Sequence, residues 1–409
     1  MMLTIEEKRE FIKIYEELSE NLDITQTQYD TAVQSYQGVG AHLSKSDSLL
    51  SPYKPEILPQ GSFLLGTMIR PINDCDELDV DLVCRLEGKK ASWTQYDLKK
   101  IVGDRLNEHV TYSSLLEKEK RRCWTLKYAE SSKYHMDILP AIVSTGHQIV
   151  LEKAFSHTGS IDFKKIAIRI TDNENYNYKS ETDPDYWNKS NPFGYAVWFQ
   201  DRCNINIRKS IFLSENVNPL PKFQKEKLPL QRVVQLLKRH RDLMFNGDDH
   251  KPISIIITTL ASRAYQKETD IISALENIIF HMENYIQEKY SKEHCRLIKW
   301  VENPVNEEEN FADKWPDCRE KEINFDKWLE KLKGDYKRSI SSKGFYNIET
   351  SLSKMFGKDV SKKTFSNLAE KDYRTREQGK LYMNTGTGIL TESSEKSKKV
   401  ENHNFHGED

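Results

Sequence analysis

The feature that most constrains the fold of this 409-residue chain is a pair of aspartates inside an apolar, strand-like run. The run LDVDLV starts at Leu78 and places Asp79 and Asp81 two positions apart. Side chains alternate between the faces of a strand, so both carboxylates project from one face while Val80 and Leu82 pack on the other. A solvated strand edge tolerates this pattern, but close carboxylates repel each other unless a cation joins them. The run therefore favours a cation site on one face of a sheet.

A Gly-Ser pair upstream of the strand supplies a second component of such a site. The stretch LPQGSFLLGT contains Gln60, Gly61 and Ser62. Gly61 has no Cβ and allows a ligand to approach the backbone, while Ser62 offers a hydroxyl. Magnesium prefers oxygen ligands and is commonly held by one or two carboxylates together with the phosphates of a substrate. We therefore expect phosphates and metal to share one cleft.

A third carboxylate occurs further along the chain in the apolar run YHMDILPAIV, at Asp137. A carboxylate in such a strand is costly unless it meets a partner or a metal. Two-metal phosphoryl or nucleotidyl transfer uses one more carboxylate than the pair supplies. We therefore expect Asp137 to lie on a strand that neighbours Asp81 in the same sheet. The expected cofactor is Mg²⁺, with Mn²⁺ as a substitute.

The rest of the chain divides into a mixed part and a helical part. Thr4 and Glu7 have the spacing of a capping box and predict a first helix. A strand is predicted over Ile161–Asp172, and a helix over Ile271–Lys289. We expect four segments: N-terminal helices that pack on the core (1–44), an α+β core built from a mixed sheet with helices (45–217), a helical lobe (218–382) and a flexible tail (383–409).

Composition excludes several classes of protein. The six cysteines are scattered without a C-x-x-C pair or a Cys/His cluster, which argues against a disulfide framework and a zinc module. The formal charge of −2 argues against a protein that coats nucleic acid. The charged N-terminus is unlike a signal peptide, and no run approaches the roughly 20 apolar residues of a membrane span. We expect a soluble, cytosolic protein.

The segments GSFLLGT and DELDVDLV, followed by HMDILPAI, resemble the nucleotidyltransferase core of the DNA-polymerase-β-like superfamily. The closer resemblance is to the bacterial cyclic-oligonucleotide synthases related to cyclic GMP-AMP synthase, the CD-NTases of CBASS antiphage systems. It covers about Gln60–Val143 and extends more weakly to VVQLLKRHRD and KPISIIITTL. It implies a polymerase-β-like core with a C-terminal helical lobe. It also implies that Asp79, Asp81 and Asp137 bind metal, and that Asp137 helps to activate the acceptor hydroxyl.

The same resemblance implies which residues contact nucleotide, namely Gln60, Gly61, Ser62, Lys238 and Ser254. By pattern alone, Lys238 also fits an exposed helix face and Ser254 a helix cap. The implied activity is the synthesis of a cyclic di- or trinucleotide second messenger from ATP or other nucleoside triphosphates, in antiphage defence.

Two other functions use a similar core. A template-independent RNA or tRNA nucleotidyltransferase, similar to a poly(A) polymerase, would need a long basic surface. The basic runs Lys118–Arg122 and Lys238–Arg241 are short, and the net charge of −2 does not favour that function. A catalytically inactive nucleotide sensor is disfavoured because all three aspartates are present.

Two regulatory expectations concern partners. Activation by double-stranded DNA is not expected, because the animal relative uses a zinc-bearing insertion for it and no Cys/His cluster occurs here. The C-terminal HNFHGED could be joined to other proteins by a partner that resembles the ubiquitin-transfer machinery, or it could be an unstructured end without a role.

Overall fold

A computed structural model describes residues 3–72, 78–128, 134–144, 147, 149, 163–203, 226–385, 390–391, 394 and 397–401. Its contacts divide the chain into two compact units. The sheet unit comprises Ile24–Gln231 and Ile286–Asp313, and the helical unit comprises Met1–Asp23, Arg232–Tyr285 and Lys314–Asp409.

The helices and strands follow in chain order. They are α1 (Ile5–Glu20), α2 (Gln26–Leu43), β1 (Glu56–Pro59), α3 (Gly61–Leu65), β2 (Leu78–Glu87), α4 (Gln95–Asn107), α5 (Val110–Leu115), β3 (Trp124–Tyr128), β4 (Tyr134–Val143), α6 (Phe163–Ile166), β5 (Ile168–Ile170), β6 (Asn188–Ser190), α7 (Pro192–Arg202), α8 (Pro229–Phe245), α9 (Ser254–Ala264), α10 (Ile271–His281), β7 (Gln287–Ser291), β8 (Arg296–Trp300), β9 (Glu302–Asn303), β10 (Asn306–Asn310), α11 (Arg319–Ser341), α12 (Phe345–Phe356), α13 (Lys358–Glu377), β11 (Tyr382–Asn384), β12 (Leu390–Thr391) and β13 (Ser397–Lys399).

A mixed sheet forms the centre of the sheet unit. Within the described residues its strand order is β1-β2-β4-β5-β6, and β3 also pairs with β4. Strands β2 and β4 are parallel along their full lengths, whereas the other pairs are antiparallel. Parallel neighbours need a crossover connection, which α4, α5 and β3 provide. This mixed sheet with its helices confirms the predicted α+β class.

One face of this sheet forms the core of the sheet unit. Val80 and Leu82 of β2 and Ile138 of β4 are buried there. Helices α2 and α4 cover them with buried residues such as Val39 and Val102. Each of these helices begins at a capping box, which fixes where it starts. The alternate residues of β2 and β4 must therefore project from the opposite face.

The helical unit contains α1 together with the long C-terminal helices. The capping box of Thr4 and Glu7 is present as predicted. Helix α1 buries Tyr15, whose hydroxyl lies 2.8 Å from the Ser339 hydroxyl of α11. Helix α1 thus belongs to the helical unit and α2 to the sheet unit. The predicted boundaries at residues 44, 217 and 382 stay predictions.

Two elements differ from the sequence expectations. The strand predicted over Ile161–Asp172 is a single helical turn, α6, followed by the short strand β5. Phe163 and Ile166 are three positions apart, which suits a helical turn, and only the isoleucines from Ile168 onward alternate beside β4. Residues 161 and 162 lie outside the described residues.

The helix predicted over Ile271–Lys289 ends at His281 and is followed by a 3₁₀ turn and β7. Cross-strand pairing of β7 with β8 outweighs helical propensity there. The segment predicted as a flexible tail contains β11, β12 and β13, which form a small antiparallel sheet. Among the helices described, none combines the length and apolar composition of a membrane span.

Candidate active site

The three predicted aspartates meet on one face of the sheet. Asp79 and Asp81 lie on β2, and Asp137 of β4 is directly opposite Asp81 in the parallel register. One ligand oxygen from each of the three carboxylates lies within 4.8 Å of the others. This confirms that Asp137 occupies the strand next to Asp81. We call Asp79, Asp81 and Asp137 the acidic triad.

The acidic triad fits a divalent cation. All of its donor atoms are carboxylate oxygens, which hard cations such as Mg²⁺ and Mn²⁺ prefer. Asp79 is exposed and the other two residues are half-buried, so water and phosphate oxygens can complete a coordination shell. The acidic triad could therefore hold metal together with a substrate.

Gly61 lies against the acidic triad. It is the first residue of α3, its φ is +57°, and a Cβ built on it would lie 2.4 Å from Asp81 Oδ2. The neighbouring Gln60 N–H donates to the Asp81 carbonyl oxygen at 2.9 Å. Glycine is therefore required here both by the backbone conformation and by the contact with Asp81. Ser62 follows directly, so the structure brings the Gly-Ser turn and the acidic triad together.

The turn that carries Ser62 is anchored on two sides. The Phe63 ring stacks on Tyr29, with centroids 5.0 Å apart, and meets Tyr36 edge-on. The Gln231 side-chain amide donates to the Leu65 carbonyl oxygen at 2.9 Å. These contacts fix the turn in the sheet unit.

Cationic and hydroxyl groups lie beside two of the carboxylates. His135 Nε2 is 3.1 Å from Asp79 Oδ1, and this hydrogen bond raises the pKa of His135 although burial opposes it. Lys120 Nζ is 3.2 Å from Asp137 Oδ1, and the Thr125 hydroxyl donates to the same oxygen. Burial lowers the pKa of Lys120, but the charge of Asp137, its hydrogen bond to Lys120 and the charges of Cys123 and Glu117 together outweigh burial, and the net shift is upward.

Cys123 also borders the acidic triad. Burial raises the pKa of its thiol to about 12, and the charge of Asp137 and a hydrogen bond to it act in the same direction. The thiol is therefore kept neutral near neutral pH. Sequence reasoning missed Cys123, Lys120, Thr125 and His135. Only His135 gave a signal, because it alternates with Asp137 along one strand face.

Lys238 and Ser254 belong to the helical unit. Lys238 lies on α8 and is only 5% exposed, and Arg239, His240 and Arg241 are buried as well, so an exposed helix face is wrong here. We call Lys238–Arg241 the basic run. The predicted contacts of Lys238 and Ser254 with nucleotide stay predictions.

Ser254 is the first residue of α9, and that helix has no side-chain cap, so the capping role is wrong too. The Ser254 hydroxyl instead accepts a hydrogen bond from Arg241 Nη1 at 2.9 Å, a contact that the sequence did not indicate. The C-terminal HNFHGED lies outside the described residues.

Comparison with known proteins identifies relatives in sequence and in fold. Residues 10–156 match the family model of the Second Messenger Oligonucleotide or Dinucleotide Synthetase domain, SMODS. A c-di-GMP synthase of Roseivirga ehrenbergii is 28% identical over 417 residues, which cover 100% of both chains.

Two solved structures share the fold. The CD-NTase CdnG of Bradyrhizobium diazoefficiens, in complex with GTP, has a TM-score of 0.64 and 19% identity and covers 88% of this chain and 99% of its own. The Vibrio cholerae cyclic AMP-GMP synthase DncV, bound to a linear intermediate, has a TM-score of 0.52 and 18% identity, with coverages of 88% and 93%. The predicted polymerase-β-like core with a C-terminal helical region is confirmed.

Proposed function

We propose that this chain is a nucleotidyltransferase of the CD-NTase family that joins nucleoside triphosphates into a cyclic dinucleotide. The observation that carries the proposal is the meeting of Asp79, Asp81 and Asp137 on adjacent parallel strands, within 4.8 Å, beside Gly61. Three carboxylates beside a Gly-Ser turn can hold the metal ions that nucleotidyl transfer from a triphosphate uses.

We propose GTP as a substrate and cyclic di-GMP as the product. The support is the c-di-GMP synthase that aligns over the full length of both chains, together with the CdnG fold solved with GTP. Base choice depends on residues around the nucleobase and not on the metal-binding carboxylates.

The acidic triad would hold Mg²⁺ or Mn²⁺. When bound, the cation supplies stabilisation of the negative charge that develops on the transferred phosphoryl group. Asp79 and Asp81 contribute their carboxylates from one strand, and Asp137 contributes its carboxylate from the next. The Gly61 backbone leaves room beside Asp81 that a side chain would fill.

The reaction balances as two equivalent transfers. A ribose hydroxyl of one nucleotide attacks the α-phosphorus of the other, a P–O bond forms, and the bond to pyrophosphate breaks. The hydroxyl proton passes to solvent as the bond forms, and Asp137 would help to polarise that hydroxyl. A second transfer of the same kind closes the ring and releases a second pyrophosphate.

A template-independent RNA nucleotidyltransferase is not favoured. Such an enzyme needs an exposed basic surface that tracks the RNA backbone. Arg121 and Arg122 are instead paired with the buried Asp172, and the basic run is buried.

We further propose that the product serves antiphage signalling in the cytoplasm, as the resemblance to CBASS enzymes implies.

The test is to incubate the purified protein with GTP alone, ATP alone and both together, with Mg²⁺ or with EDTA. Products that resist phosphatase are then identified by mass spectrometry, and pyrophosphate is counted. We expect GTP alone to give cyclic di-GMP with two pyrophosphates per product, and EDTA to abolish it. A phosphatase-sensitive linear product, or extension of an added RNA primer, would contradict the proposal.

A further inference from the structure

One cationic side chain from a loop reaches the acidic triad. Lys120 lies between α5 and β3, and its Nζ is 3.2 Å and 3.5 Å from the two carboxylate oxygens of Asp137. The Thr125 hydroxyl binds one of these oxygens as well. The Asp137 carboxylate is thus already engaged by protein groups on both oxygens.

Lys99 holds the backbone of this loop through hydrogen bonds to its carbonyl oxygens. The Lys99 side chain on α4 is fully buried, and its ammonium donates to the carbonyl oxygens of Lys120 and Arg121. The same ammonium is 3.0 Å from the Glu119 carboxylate. A buried ammonium bonded in this way fixes the main chain at Lys120.

The residues that follow Lys120 are held by a second buried charge. Arg121 Nε and Arg122 Nε lie 2.8 Å and 2.9 Å from the carboxylate of Asp172, whose side chain is 1% exposed. The Asp172 backbone N–H in turn donates to the Gln95 side chain at 2.9 Å. Both arginines therefore point to Asp172, whereas Lys120 on the same fixed loop points to Asp137.

We propose that Lys120 is a built-in counter-ion of the acidic triad. Its ammonium neutralises part of the triad charge in the metal-free protein and has to leave Asp137 when a divalent cation binds. Lys120 thereby sets how tightly the site takes up metal. This inference rests on the proposed function, because it assumes that the acidic triad is a metal site.

The physical argument is a competition between cations for the same oxygens. A positive charge near 3 Å from a ligand carboxylate repels an incoming cation and occupies its ligand. An ordinary surface ion pair would relax at little cost, because its long side chain samples many positions. Here Lys99 and Asp172 anchor the loop backbone, so the Lys120 stem starts within reach of Asp137, and its ammonium, on a side chain that is 43% exposed, competes for the same carboxylate oxygens.

The test compares Lys120→Met, which keeps most of the aliphatic stem, with Lys118→Met, which removes an equal charge from an exposed position on the same loop. Lys120→Arg keeps the charge. The measurements are the Kd for Mn²⁺ by electron paramagnetic resonance and the thermal midpoint in EDTA and in Mn²⁺.

We expect Lys120→Met to lower the Kd for Mn²⁺ about two- to fivefold relative to Lys118→Met. Its thermal midpoint in EDTA should fall below that of Lys118→Met, and Mn²⁺ should raise it by more than in the wild type. Lys120→Arg should keep the wild-type Kd within about twofold. An unchanged or higher Kd in Lys120→Met would overturn the inference.

Failure of the proposed function gives a different pattern. If the wild-type protein binds Mn²⁺ no better than Asp137→Asn, the metal site itself is wrong and the inference falls with it. If it binds Mn²⁺ but makes no cyclic product, the proposed function is wrong, and the Kd comparison still decides the role of Lys120. If the wild type binds Mn²⁺ and makes product while Lys120→Met and Lys118→Met bind it alike, only the role of Lys120 is wrong.

Discussion

Charged residues cluster in both units, but the two clusters have different roles. The acidic triad gathers three like charges on an open sheet face, where a cation can join them. The basic run of the helical unit is buried, and its charges are satisfied separately. Arg239 donates to the Phe356 carbonyl oxygen, His240 to Asp335, and Arg241 to the Ser254 hydroxyl.

The difference follows from the period of each element. Strand side chains repeat every two residues, so Asp79 and Asp81 point the same way and Asp137 joins them from the neighbouring strand. Helix side chains turn by about 100° per residue, so four consecutive basic residues point in four directions. A charge run on a helix is therefore dispersed into separate structural contacts, whereas alternate charges on a strand are concentrated into a site.

The largest effect should come from breaking the acidic triad. Asp79→Asn or Asp81→Asn should slow product formation by about a thousandfold or more, because each removes a ligand of the metal that stabilises the transferred group. The measurement is the rate of pyrophosphate release from GTP.

The matched control is Asp104→Asn, since Asp104 pairs with Lys100 on the exposed surface of α4. The control should keep full activity. All three variants should give native circular dichroism spectra. Wild-type rates in either triad variant would remove the metal site from the proposal.

The basic run should respond to loss of a partner as a structural cluster does. Asp335 is 3% exposed and accepts hydrogen bonds from His240, Lys331 and Arg338. Asp335→Ala should lower the free energy of unfolding by about 2–3 kcal/mol, because it leaves the buried His240 without its acceptor and also removes the partner of Lys331 and Arg338. Denaturant titration measures this.

Glu370→Ala, which breaks an exposed ion pair with Arg374 on α13, should cost less than about 1 kcal/mol in the same titration. Equal losses in Asp335→Ala and Glu370→Ala would mean that burial does not govern the helical cluster.

Two glycines with positive φ separate backbone strain from damage to the site. Gly61→Ala and Gly88→Ala both place a Cβ on a left-handed residue, which costs about 1–2 kcal/mol. Only at Gly61 does the added Cβ collide with Asp81, since nothing lies within 4 Å of a Cβ at Gly88. Gly61→Ala should therefore lower the rate of product formation by up to about a hundredfold, and Gly88→Ala should leave it near the wild type. Matching rates in the two variants would show that Asp81 tolerates displacement.

The acidic triad could be predicted from sequence because each part of it is local. Alternation within β2 orients Asp79 and Asp81, and an aspartate in an apolar run marks Asp137. The groups beside them could not be predicted. Lys120 reaches Asp137 only because Lys99 and a distant aspartate hold its loop, and that arrangement depends on long-range pairing.

The alternative prediction of an exposed helix face at the basic run was wrong for a related reason. A series of charges on a helix usually indicates an exposed face, and only tertiary packing buries Lys238 and pairs His240 with Asp335. The β7–β8 hairpin was missed because the strong apolar period of the preceding helix α10 was extended past its end at His281. In each instance the local pattern alone gave the wrong prediction, and contacts with other segments decided the outcome.

The smallest predicted effect is the contribution of His240, in the basic run, to the pH dependence of stability. Burial lowers the pKa of His240, although its hydrogen bond to Asp335 opposes this shift. Below the ordinary value near 6.5, the unfolded chain therefore binds a proton that the folded chain does not, so stability falls as pH falls. His42 and His147, whose pKa burial also lowers, add to this loss and remain in the variant.

Between pH 7.5 and 5.5, His240→Gln should lose about 1 kcal/mol less of its free energy of unfolding than the wild type. The reference is His250→Gln, which removes an exposed imidazole from the same unit. Parallel pH profiles for the two variants in denaturant titrations would show that His240 is not kept neutral by its burial.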